Sequence, residues 1–94
     1  MNKETIVNKL MANQYSEKQA TRVAEDLLLI DDKLYSLLEK WIATTKETDI
    51  TVEGFSLIEL KNKYQMTYPA ALLTIDWLIK DPNIAVDAIN QGIE

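Results

Sequence analysis

Apolar residues recur along this chain three and four positions apart, the spacing of helix faces, and short groups of capping residues separate the runs. Ile6, Val7, Leu10 and Met11 predict a first helix over Lys3–Ala12, followed by a connector at Asn13-Gln14-Tyr15. Ser16-Glu17-Lys18-Gln19 is a capping-box pattern, in which the serine oxygen takes an orphan backbone N–H and the glutamine reaches back to the cap. The helix it opens turns Ala20, Val23, Ala24, Leu27 and Leu28 inward and Thr21, Arg22, Glu25 and Asp26 outward. Asp31 caps a third helix, striped by Leu34, Leu37, Leu38, Trp41 and Ile42.

The periodicity stops over residues 44–54, whose polar run Thr44-Thr45-Lys46-Glu47-Thr48-Asp49 reads as a loop between two halves. Ile50-Thr51-Val52 alternates like a strand but finds no partner in the pattern, so it is assigned to that loop. Ser56-Leu57-Ile58-Glu59 is a second capping box, opening a helix with Leu57, Leu60 and Tyr64. Thr67 caps the next helix, with Pro69 tolerated in its first turn, and Asp81-Pro82 repeats the device for a last helix bearing Ile84, Ala85, Ala88 and Ile89 and ending at Gly92. The expectation is an all-α fold: a compact bundle of about six short helices forming a single domain, with a three-helix unit over about 1–43 and a second unit over about 55–94.

Within the second unit, Leu60-Lys61-Asn62-Lys63-Tyr64-Gln65-Met66-Thr67-Tyr68-Pro69-Ala70-Ala71-Leu72-Leu73-Thr74-Ile75 resembles the helix-turn-helix unit. In that family a glycine ends the first helix, an apolar residue plugs the turn, a Ser or Thr caps the second helix, and apolar positions follow at set spacings. Met66 matches the plug, Thr67 the cap, and Ala71 and Ile75 the buried positions, while Gln65 stands where the glycine usually is. The resemblance implies a DNA-binding regulator, with Lys61, Lys63 and Lys80 available to phosphates. The chemistry of the second helix points the other way, because from Tyr68 to Ile79 there is no Arg, Lys, Asn or Gln to read base edges. In the first half, Met11-Ala12-Asn13-Gln14-Tyr15-Ser16-Glu17-Lys18-Gln19-Ala20 is similar to the first turn of ubiquitin-associated three-helix domains, a packing analogy over Ile6 to Ile42.

Composition narrows the chemistry. Of 94 residues none is His or Cys, which removes the commonest general base, the thiolate nucleophile and the usual zinc, copper and haem ligands. Glu25 and Asp26, adjacent on a helix, point about 100° apart and do not bracket a substrate atom, while Asp31 and Asp32 sit where a cap and its first turn favour acids, so both pairs read as structural. Asp49-Ile50-Thr51-Val52-Glu53-Gly54 carries the glycine of a calcium loop but is not assigned as one, and Gly54 and Gly92 are too far apart to form a phosphate cradle. No catalytic, cofactor or metal residues are assigned, and no enzymatic activity or small-molecule substrate is expected. Fifteen acidic against ten basic residues give a net charge of −5, which disfavours nucleic acid and anionic membrane and favours basic partners. The amino-terminal residues lack a signal-peptide pattern and no apolar run reaches membrane-spanning length, so the expected setting is cytoplasmic.

One segment is more apolar than a core position requires. From Tyr68 to Ile79, the residues Tyr68, Ala71, Leu72, Ile75, Leu78 and Ile79 form a broad face, and Ala70, Leu73 and Trp77 form a second stripe at i, i+3 and i+7. A helix apolar all round is either central or shared with a partner. The partner reading makes Ala70, Leu73 and Trp77, with Tyr35 and Tyr64, a surface that binds another protein or a second copy. The expected function is a non-enzymatic interaction module, an inhibitor or adaptor, with the helix-turn-helix regulator as the alternative. In its style the whole chain resembles small acidic helical proteins of bacteria and phage.

Overall fold

A computed structural model describes residues 2–92, and these residues form an all-α protein of six helices with one small β-ladder. The chain divides into two compact units, Met1–Lys46 and Glu47–Glu94. No helix among the described residues is long and apolar enough to cross a membrane.

The first unit holds α1 (Lys3–Ala12), α2 (Glu17–Leu27) and α3 (Asp32–Thr44). Each begins at a side chain that takes an orphan backbone N–H: Asn2 from Thr5, Ser16 from Gln19, Asp31 from Lys33. At α2 the box is complete, since Gln19 Oε1 also accepts from the Ser16 backbone N–H at 3.3 Å. Helices α1 and α2 pack on each other, burying Ile6 and Leu10 of the first and Ala20, Ala24 and Leu27 of the second. An ion pair of 3.3 Å joins Lys3 at the start of α1 to Glu25 near the end of α2, so the two run antiparallel. Helix α3 buries Leu34, Leu38 and Trp41, and the Lys9 ammonium of α1 lies 5.7 Å from the Trp41 ring centroid. It ends at Thr45, whose φ of 57° is costly for a β-branched residue.

Apart from Ile79, the periodic stripes hold with three exceptions in which the apolar residue faces solvent: Met11 is 43% exposed, Ile84 is 60% exposed, and Leu28 is also exposed, as the cap of α2 rather than a member of it. In each case the buried line runs through the neighbouring position, Leu10, Ala85 or Leu27, and the adjacent residue points about 100° away. Ile79, assigned to the inward face of its helix, is likewise exposed, at the helix end.

The second unit corrects the loop assignment at 44–54. Thr51–Val52 (β1) pairs antiparallel with Phe55–Ser56 (β2), in the register Thr51 to Ser56 and Val52 to Phe55. Glu53 and Gly54 between them have φ of 54° and 82°, the two positive values a type I′ hairpin turn requires. The hairpin leads directly into α4 (Leu57–Lys63), and three consecutive orphan N–H groups of that helix are met from just upstream. The Leu57 N–H donates to the Ile50 carbonyl at 2.8 Å, Ile58 to Asp49 Oδ1 at 3.0 Å, and Glu59 to Ser56 Oγ at 2.9 Å. The segment predicted as a loop is thus a helix cap.

After α4 come α5 (Tyr68–Lys80) and α6 (Pro82–Asn90). Thr67 caps α5 through the Ala70 N–H, and Pro69 occupies the first turn. Asp81 both ends α5 and begins α6: its N–H donates to the Trp77 carbonyl and its carbonyl accepts from Ala85. Its side chain makes no capping hydrogen bond, unlike the device the sequence suggests, because the backbone there (φ −138°, ψ 65°) also closes the preceding helix. Helix α6 packs on α5 through Ala85 and Ile89 and gives way to Gly92 at a φ of 81°.

Candidate functional site

Helix α5 is the most enclosed element of the second unit. Tyr68, Pro69, Ala71, Leu72, Thr74, Ile75, Asp76 and Leu78 are all buried, so only a narrow strip of the helix remains at the surface. The buried polar groups are satisfied: Thr74 Oγ1 donates to the Ala70 carbonyl at 2.9 Å, and Asp76 accepts from Lys80 at 2.9 Å one turn later. Along the strip, Ala70, Leu73 and Trp77 are each half-buried, with the exposed Lys80 beyond them. A surface helix normally turns polar residues to this side. Here the outward line is Ala, Leu and Trp.

The stripe opens at its Ala70 end into a shallow groove of about 620 Å³, lined by Lys63, Tyr64, Met66, Thr67, Ala70 and Gly92 among others. Gly92 follows α6 and Ala70 begins α5, so α6 runs back along α5 and the groove lies where the two meet the α4–α5 turn. That turn is made by Gln65, whose φ of 56° is the left-handed conformation glycine adopts most easily. The consequence is that Met66 folds back toward α5, its sulfur 3.5 Å from the Thr74 hydroxyl. Tyr64 is half-buried at the groove wall with the Lys63 ammonium 5.4 Å from its ring centroid.

Of the five residues singled out from the sequence, the structure brings Tyr64 and Ala70 together in the groove and places Leu73 and Trp77 on the same line of α5. Tyr35 is half-buried on α3 of the first unit. Sequence reasoning missed Met66 and Gly92 as parts of the groove. Met66 was recognised as a plug, but its place beside Tyr64 depends on the left-handed Gln65.

The charges are distributed unevenly. Met1–Lys46 contains seven basic and seven acidic residues, whereas Glu47–Glu94 contains three basic and eight acidic, so the whole net charge of −5 belongs to the second unit. All three of its lysines have partners within that unit: Lys61 with Glu47, Lys80 with Asp76, and Lys63 over Tyr64. Among the described residues no three His, Cys, Asp or Glu side chains converge as a metal-holding group. Of the candidate acids, Glu25 pairs with Lys3 and Asp31 caps α3.

The titration of Tyr68 is displaced. Burial pushes its hydroxyl above the ordinary tyrosine value; a hydrogen bond with the Thr48 backbone opposes this, and Glu47 and Asp49 reinforce it. A raised value in the folded state means that the folded chain holds this proton more tightly than the unfolded chain. The associated stability is therefore complete below the ordinary value near 10 and lost as pH rises through the folded one. Tyr68→Phe should flatten the alkaline limb of a stability-against-pH curve, measured by urea unfolding; an unchanged limb would show that Tyr68 does not set it.

Compared with known protein families, curated proteins and solved structures, the chain finds no match in any of the three.

Proposed function

We propose that this chain is a non-enzymatic protein-interaction module, acting in the cytoplasm as an inhibitor or adaptor. The observation that carries the reading is the outward line of α5, where Ala70, Leu73 and Trp77 are only partly buried and run into the groove at Tyr64 and Met66. Apolar side chains facing water along two helical turns lose hydration cost when another surface covers them, and Trp and Tyr are common anchors of such contacts. Binding of a protein partner, rather than of a small molecule, suits a surface that is long and shallow.

The helix-turn-helix alternative draws support from the left-handed Gln65, at the position where that motif usually has glycine, and from the Thr67 cap. Against it, α5 carries no base-reading side chain from Tyr68 to Ile79, and the lysines it would bring to phosphates are engaged internally.

The test combines light scattering with capture from a lysate, using the full chain and its Leu73→Glu variant. The expected result is a captured partner or self-association that the variant loses, with no DNA retained by either form in a low-salt gel shift. A monomer that captures the same set of proteins in both forms would overturn the reading, and sequence-selective DNA retention would move it to the alternative.

A further inference from the structure

We propose that the α5 stripe and its groove receive a basic amphipathic helix of a partner protein, and that the partner is not a second copy of this chain. This rests on the interaction reading above and names the partner's chemistry. Two observations support it independently.

The first is shape. Ala70, Leu73 and Trp77 lie at i, i+3 and i+7, the spacing of the seam one helix presents to another, and they span about 10 Å along the axis. The small Ala70 and Gly92 at one end let a second backbone approach, while Tyr64 and Met66 line the adjoining groove. A helix with apolar residues in the same frame fits such a seam, by the helix-in-groove mode of recognition.

The second is charge. The unit that carries the stripe holds eight acidic and three basic residues, and its lysines already have acidic or aromatic partners. Glu53, Glu59, Asp81 and Asp87 are exposed acids with no cation placed against them among the described residues. Two copies meeting through this unit would bring two charges of −5 within about a Debye length of each other, which opposes association. A partner helix flanked by Lys or Arg gains from the same field.

The experiment is a selection on the immobilised full chain from displayed peptides with Leu fixed at i, i+3 and i+7 and the remaining positions varied among Lys, Gln and Glu. Lysine should be enriched among the survivors. A synthetic survivor should bind about tenfold more weakly to Leu73→Gln and to Trp77→Gln. It should also lose affinity as salt is raised, and less steeply against the Asp81→Asn/Asp87→Asn/Glu59→Gln chain. Circular dichroism of each variant separates lost binding from lost folding, and the triple variant, altered only at exposed positions, keeps the test valid if Trp77→Gln unfolds. Survivors rich in Gln or Glu, or affinity unchanged in Leu73→Gln, would overturn the proposal. So would a dimer that Leu73→Gln dissolves, although that outcome leaves the interaction reading standing. A monomer that selects no peptide, and captures no partner sensitive to Leu73→Glu, removes both.

Discussion

Truncating Leu72 to alanine should lower stability by about 2–5 kcal/mol, while the same truncation at the next residue, Leu73, should cost well under half of that. Leu72 is fully buried on the inward side of α5, so its removal both forfeits the transfer of the side chain out of water and leaves a cavity that close-packed neighbours fill only partly. Leu73 lies about 100° around the helix, partly in water already, and its truncation leaves a smaller void. Thermal and urea unfolding of the two variants read the difference directly, with the midpoint of the Leu72 variant falling by roughly 10 °C or more for a chain of this size. Equal losses would mean that Leu73 is as much a core residue as Leu72, and the stripe would no longer be a candidate surface.

Replacing Asp49 with alanine should cost about 1–2 kcal/mol, an unusual penalty for an exposed residue in an irregular segment. The carboxylate oxygen Oδ1 accepts from its own neighbour Ile50 at 2.9 Å and from Ile58 at 3.0 Å, so it holds the incoming chain and the first turn of α4 together. Asp49→Asn keeps an acceptor in the same place and should recover most of the loss. Amide hydrogen exchange at Ile58 provides the local reading: protection should fall in the alanine variant and persist in the asparagine one. Unchanged protection in both would assign the cap to Ser56 alone.

These two residues also mark where the sequence was readable and where it was not. Helix starts at Ser16, Asp31, Ser56 and Thr67 could be located because a cap is a local event, settled within about three residues. The role of Asp49 could not, since its second partner is nine positions away and the intervening hairpin has only two residues in each strand. That hairpin turns on Glu53-Gly54, which lacks the Asn or Asp that usually announces a type I′ turn. Met11 and Ile84 were misplaced for a different reason: where two adjacent residues are both apolar, periodicity alone does not say which one lies on the i, i+4 line that a neighbouring helix covers. The α5 stripe was legible because an outward apolar line needs no tertiary information. The groove at its end was not, because it depends on a left-handed Gln65 and on the return of α6 to Gly92. The concentration of charge in one unit became visible only when the boundary between Lys46 and Glu47 was drawn.

The single residue between α5 and α6 has a consequence for how this sequence can vary. Because the backbone of Asp81 completes one helix and opens the next, the corner holds no slack. Inserting or deleting one residue there would rotate α6 by about 100°, carrying Ala85 and Ile89 out of their places and breaking the register that brings Gly92 to the groove. What is constrained at this corner is the length of the chain more than the identity of the side chain. Homologous chains, however far their residues drift, should keep one residue between these helices while gaining or losing residues more freely just after Thr45, ahead of the segment that caps α4.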